Sequence, residues 1–232
     1  MTESKIEKKG VGSQVADTIM EQIRSGQLKP GDKLPNEKEM AESFGISRVS
    51  LREGLKLLSA KGLISTKHGG GTYVNPFGED TLSESFCIYA AQDDSLALEM
   101  LDVRRLIETE AARLASIYAS DEEIEKIHKY MLLREEALSA ELQGENRSEQ
   151  RYYYDEQFHL AIAQASHNTV FVNFIKMIHR TLGAHQQQAS VRSGKTETSY
   201  YHQEIYRAIV ARQPEKAAEM MTKHIETIAS YY

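Results

Sequence analysis

The sequence predicts a mainly α chain in two parts. A small N-terminal helical domain carries a short β-hairpin, and a larger all-α bundle follows. Three observations predict this. Residues 34–75 read LPNEKEMAESFGISRVSLREGLKLLSAKGLISTKHGGGTYVN, where two short helix patterns meet at Gly45 and two β-prone runs flank a glycine-rich turn. Beyond Pro76 only helical periodicity recurs, and Pro214 is the one remaining proline, so long helices run unbroken. Hydrophobic residues make up 41% of the 232, enough for a core in each part.

Residues 1–12 are polar, end in Gly-Val-Gly and read as a loose arm. A first helix is expected over 14–25, with Val15, Ile19 and Ile23 at helical spacing and Gly26 as its stop. Pro30-Gly31 marks a turn. Asn36, with Glu39 three residues on, has the form of a capping box that opens a second helix, and Met40, Ala41 and Phe44 form its inner face. Gly45 ends that helix. Ser47 caps a third running to about Lys61, with Val49 or Leu51, then Leu55 and Leu58 inward. Residues 63–67 and 72–74 read as strands, with Gly69-Gly70-Gly71 at the hairpin tip. Helix-turn-helix followed by a hairpin is the outline of a winged helix-turn-helix, a DNA-reading module. The expected domains are therefore an arm at 1–12, a winged helix at 13–76, a linker and first helix at 77–94, and an all-helical domain at 95–232. Helices are expected at 82–91, 95–118, 121–142, 148–166, 169–190, 197–212 and 214–231.

Charge placement agrees with this division. The net charge is −6, yet residues 1–76 hold 12 Lys/Arg against 9 Asp/Glu, while the remainder holds 16 against 25. A mildly basic head on an acidic body suits a DNA-binding module with a regulatory domain. Cys87 is the one cysteine, which excludes an intrachain disulfide framework and a cysteine-based zinc site. The N-terminus lacks a secretory pattern and no apolar run has the length of a membrane span, so a cytoplasmic protein is expected, with no membrane partner.

Arg48 and Arg52 share one face at the start of the third helix, where a recognition helix meets the major groove. A guanidinium fork can donate two hydrogen bonds to guanine. Ser50 suits a phosphate or base edge, Val49 a thymine methyl, and Lys38 the backbone or a base. His68 and Gly69 stand at the wing tip, where a small backbone fits the minor groove. The alternatives are surface arginines, with Arg52 paired to Glu53 or Glu42, and a solvated turn at His68.

The segment from Val15 to Asn75 resembles the winged helix of GntR-type bacterial transcription regulators. The resemblance rests on Leu34-Pro35-Asn36-Glu37, Ser47-Arg48, Leu51-Arg52-Glu53, Leu57, Gly62-Leu63-Ile64 and His68-Gly69-Gly70-Gly71-Thr72-Tyr73-Val74. It implies operator contacts at Lys38, Arg48, Ser50, Arg52, His68 and Gly69. Lys38 departs from the arginine more usual there, and lysine reads guanine less sharply.

A second constellation lies in the helical half. Asp155 and His159 are four apart on one helix face, His202 opens a later helix, and His224 lies near the end of the last. One carboxylate and up to three imidazoles on facing helices can hold a divalent ion. Taken singly, each histidine is more often a plain surface or core residue than a ligand. His128, His167, His179 and His185 have no such support. Residues 96–228 resemble the ligand-binding FCD domain of the FadR subfamily, through Val103-Arg104-Arg105-Leu106-Ile107-Glu108, Asp155 to Ala163, Ala165 to Asn168, His202 to Ile209, and Ala217 to Ile225. By that resemblance the metal ligands are Asp155, His159, His202 and His224, with zinc first and nickel, manganese or iron as further choices. Acyl-CoA is not expected, since that branch lacks the set. Arg104 resembles an arginine facing the effector cavity, and its alternative is an ion pair with Glu108. The implied protein is a homodimer on a palindromic operator. A small organic or sugar acid on the metal would relieve its repression. The rivals are a metal sensor, a structural metal and a metalloenzyme.

Overall fold

The structure is a computed structural model that describes residues 9–67, 69–76, 94–192 and 195–231, without the side chains of 94, 95, 97 and 183–196. The chain divides into two compact units, Met1–Thr81 and Leu82–Tyr232.

In the first unit α1 (Val11–Arg24) buries Val15, Ala16 and Ile19. It starts three residues earlier than its periodicity suggests. Gly12, which reads as part of a loose arm, packs against α3 at Gly54. A Cβ added to Gly54 would lie 2.7 Å from the Gly12 carbonyl oxygen and 2.7 Å from Val15 Cγ1. The two glycines let the helices approach at backbone distance.

Helix α2 (Glu37–Phe44) opens on the expected capping box. The Asn36 side chain accepts from the Glu39 N–H at 2.9 Å, and the Glu39 carboxylate accepts from the Asn36 N–H at 3.2 Å. Gly45 closes it at φ 64°, a left-handed conformation that glycine adopts without a Cβ penalty. Helix α3 (Arg48–Ala60) is capped by Ser47, whose hydroxyl accepts from the Ser50 N–H at 3.1 Å. Leu51, Leu55 and Leu58 point inward, whereas Val49 is 69% exposed.

Strands β1 (Ile64–Lys67) and β2 (Gly71–Val74) pair antiparallel, Ile64 opposite Val74 and Lys67 opposite Gly71. Gly71 is therefore a strand residue rather than part of the tip. The segment after the Pro30-Gly31 turn lies along the other edge of β2. The Leu34 N–H donates to the Thr72 carbonyl at 2.8 Å, and the Val74 N–H to the Asp32 carbonyl at 2.9 Å. These bonds cover a strand edge that would otherwise be open.

The second unit holds, among the described residues, α4 (Asp94–Tyr118), α5 (Asp121–Leu142), α6 (Ser148–Ala165), α7 (Thr169–Arg192), α8 (Lys195–Val210) and α9 (Pro214–Ala229). The helix expected over 82–91 lies outside the described residues. Ser120 and Glu123 form a second capping box at α5. Pro214 sits in the first turn of α9, where its missing N–H costs nothing. Helix α6 packs against α4, α5 and α7, and every residue from Phe158 to Ala163 is buried. Helix α9 packs against α4 and α8. The core at this junction is built from Ala112, Ala115, Ile127, Phe158, Ile162, Ile205, Ile209, Met221 and Ile225. No helix among the described residues is long and apolar enough to cross a membrane.

Candidate metal centre and DNA-reading face

Three histidines from three helices meet inside the bundle. Asp155 and His159 are one turn apart on α6, so both point the same way. His202 comes from α8 and His224 from α9. His224 Nε2 stands 3.2 Å from His159 Nε2 and 3.1 Å from His202 Nε2. The three rings lie close enough to one another to share an ion, and the Asp155 carboxylate lies beside them, with Oδ1 3.6 Å from His202 Nε2 and Oδ2 3.8 Å from His159 Nε2. The histidines are buried, while the Asp155 side chain is 18% exposed and forms the open side.

This geometry fits a metal ion. Two imidazole nitrogens at the usual bond length from one ion, at octahedral or tetrahedral angles, lie roughly 2.9–3.4 Å apart. Hydrogen bonding alone does not account for both contacts of His224. If His224 Nε2 carries a proton it cannot also accept from His202, and if it carries none it has one in-plane lone pair for two neighbours. Burial and the neighbouring His224 and Arg134 hold His202 well below the ordinary histidine range, against the pull of Asp155. Burial and His159 do the same to His224. Both rings are therefore neutral at pH 7, the form that ligates metal. Burial would push the Asp155 carboxyl up, but His202, His159, Arg134 and His224 outweigh it and hold the group well below the carboxylate range.

Arg104 and Glu108 form the expected i, i+4 pair, Nε to Oε1 at 2.7 Å, and both are fully buried. The pair does not exhaust the arginine. Its Nη1 and Nη2 are buried and make no hydrogen bond. Arg104 is also close enough to His224 to disfavour that ring's charged form.

Three neighbours of the site were not anticipated. Glu108 presents its other oxygen, Oε2, to His159 Nδ1. His179 on α7, which the sequence left without support, is buried with Nε2 3.3 Å from Glu108 Oε1. Arg134 on α5 is buried, its Nε 3.4 Å from Asp155 Oδ1, with Nη1 donating to Ser199 Oγ at 2.5 Å and Nη2 to Thr198 Oγ1 at 2.6 Å. A signal existed for two of them. Ile127, Met131, Arg134 and Leu138 make one core stripe, and Leu101, Arg104, Glu108, Ala112 and Ala115 make another. A charge on a buried stripe must find a partner. Of the other histidines, His128 stacks on Tyr206 at 4.7 Å and His167 pairs with Glu123 at 3.1 Å. The His185 side chain lies outside the described residues.

In the first unit Lys38, Arg48, Val49 and Arg52 are exposed, Ser50 is half-buried, and Gly69 is exposed at φ 71°. His68 lies outside the described residues. Arg48 forms no ion pair among the described residues. Arg52 does form one, but with Glu37 at 2.8 Å, not with the expected Glu53 or Glu42. That pairing ties the second turn of α3 to the start of α2.

A winged helix with an arginine-led α3, joined to an all-helical bundle that gathers buried histidines beside a carboxylate, is the build of a DNA-binding regulator. Family comparison agrees. Residues 12–74 match the model described as bacterial regulatory proteins, gntR family, and residues 99–227 match the FCD domain. The chain belongs to the GntR family of transcription regulators and carries an FCD domain, the FadR-like arrangement that its motifs implied. It is 33% identical over 236 residues to the Glc operon transcriptional activator of Escherichia coli K12, covering 97% of this chain and 89% of that one. It is 29% identical over 226 residues to the Uxu operon transcriptional regulator of the same organism, covering 94% and 83%. The solved structure of Streptococcus agalactiae GntR superposes with a TM-score of 0.73 at 25% identity, over 95% of this chain and 100% of that one. These matches are to regulators, not enzymes.

Proposed function

We propose that this regulator binds a palindromic operator as a homodimer and that a small organic or sugar acid, chelated at a metal centre in the bundle, alters that binding. The site is a cytoplasmic sensor in this reading. Asp155, His159, His202 and His224 would hold a divalent ion, zinc first given three imidazoles, with nickel, manganese or iron as the further choices. Bound there, the ion supplies a Lewis-acidic centre for an acid that bears a second oxygen donor. Arg104 recognises the acid through Nη1 and Nη2, since a buried guanidinium with two unused donors gains most from a carboxylate. Arg134 keeps the Asp155 carboxylate turned toward the histidines.

The observation that carries the proposal is the convergence of the buried Nε2 atoms of His159 and His202 within 3.2 Å of His224 Nε2, beside an arginine with two free nitrogens. A pure metal sensor gives that arginine no role. On DNA, Arg48 and Arg52 read base edges while Lys38, Ser50 and the wing tip at His68 and Gly69 hold the backbone. The acid releases the operator if it binds the DNA-free conformer better, and the regulator then acts as a repressor. Calorimetric titration of the zinc-loaded protein with a panel of hydroxy, dicarboxylic and sugar acids tests the site. Operator affinity at fixed salt, with and without the tightest binder, tests the response. Acid binding that persists undiminished after the metal is chelated removes the metal-bridged version.

A further inference from the structure

Glu108 is buried between three partners on three sides. Oε1 accepts from Arg104 Nε at 2.7 Å and faces His179 Nε2 at 3.3 Å, while Oε2 faces Nδ1 of His159. His159 is the one ring of the cluster whose Nδ1 meets a carboxylate. The buried Nδ1 atoms of all three rings, His159's included, lack a hydrogen bond of regular geometry, so what sets His159 apart is the carboxylate charge held close against its Nδ1.

We propose that Glu108 is the positioning residue of the centre, fixing His159 with its proton on Nδ1 so that Nε2 presents a bare lone pair to the ion. This rests on the metal reading above and adds to it an assigned tautomer and a residue outside the ligand set. Proton placement decides which nitrogen faces the ion. A neutral imidazole carries one ring proton, and a carboxylate at Nδ1 draws it there. Nε2 is then left as the acceptor, on the side where His224 and His202 converge. A carboxylate behind the ring also makes the opposite nitrogen a stronger donor to metal. Arg104 and His179 grip the far oxygen, so the carboxylate does not turn away.

A competing use of the same atoms is a second cation held by Glu108, His159 Nδ1 and His179, which lie close enough to share one. Two facts oppose it. The Arg104 guanidinium already neutralises Glu108 at 2.7 Å and would repel a cation in that place. His159 would also have to give up both ring protons to serve two ions.

The test uses the full-length protein. Two-bond proton–nitrogen NMR on metal-free, histidine-labelled protein reads the His159 tautomer directly, with His159→Gln identifying the signal. The expected result is a proton on Nδ1. A proton on Nε2 overturns the assignment without any change at Glu108. Competition with a chelating indicator then compares zinc affinity in the parent and in Glu108→Gln, and cobalt substitution compares the visible bands. The expected loss is about 10–100-fold, with altered cobalt bands. Zinc affinity within twofold of the parent and unchanged bands overturn the positioning role, since a merely structural residue would shift thermal stability alone. A parent that binds no zinc sinks the metal reading itself, a result separate from either of these.

Discussion

Acidification should unfold the metal-free bundle by an amount that the buried histidines set. His202 and His224 are held well below the ordinary histidine range, by burial first, and burial brings His179 to about 4. The unfolded chain takes up a proton at each near pH 6.5, whereas the native bundle stays neutral there. Below that pH the unfolded state holds more protons, so stability falls as pH falls. At about pH 5.5, one unit below the ordinary histidine value, each such histidine costs on the order of 1 kcal/mol, and three together a few kcal/mol. Asp155 and Glu108, both held low in the native state, add a loss of the same sign only as pH falls through the ordinary carboxylate range, near 4. A loss of a few kcal/mol is a large share of the roughly 5–15 kcal/mol typical of a whole domain. Urea unfolding of chelator-treated protein, followed by helical circular dichroism between about pH 7.5 and 5.5, measures it. A midpoint that does not move over that interval would show that the rings take up protons in the folded state, and the neutral-cluster account would be wrong.

Three further outcomes are expected. Arg48→Ala and Arg52→Ala should each cost about 1–3 kcal/mol on a selected palindrome and blur its sequence preference, while Lys38→Ala should weaken all sequences alike and lower the salt slope by about one; anisotropy titrations at several salt concentrations separate the two patterns. Gly54→Ala should lower the stability of the DNA-reading unit, because overpacking of about 1–3 kcal/mol against Gly12 and Val15 exceeds the roughly 1 kcal/mol that alanine gains in a helix; an unchanged or raised melting temperature would contradict the close approach of α1 and α3. His224→Ala should abolish tight zinc binding, since His224 is the ring that touches both others; elemental analysis after dialysis that still finds equimolar zinc would remove it from the ligand set.

The DNA-reading unit was legible in the chain because its signals are local. A capping box at Asn36, a glycine at a left-handed position and a serine cap at Ser47 each act within a turn of themselves. Val49 was ambiguous because it precedes Leu51 by two residues, and only packing shows that Leu51 faces inward while Val49 meets solvent. Gly12 reads as part of the arm for a related reason. Its small size matters only opposite Gly54, a partner 42 positions along the chain.

In the bundle, local patterning alone sets that helices form, roughly where they end, and that Asp155 and His159 share a face. Resemblance joined His202 and His224 to that pair as one ligand set. Periodicity places a residue on its own helix but says nothing of how neighbouring helices are rotated. The tertiary structure alone decided that three Nε2 atoms meet, that Glu108 stands behind His159, and that Arg134 and His179 belong to the same polar cluster. The reason is physical: a buried charge cannot remain unpaired, so the packing of α4 to α9 had to bring these groups together, and the pairing is a property of the interfaces rather than of any one segment.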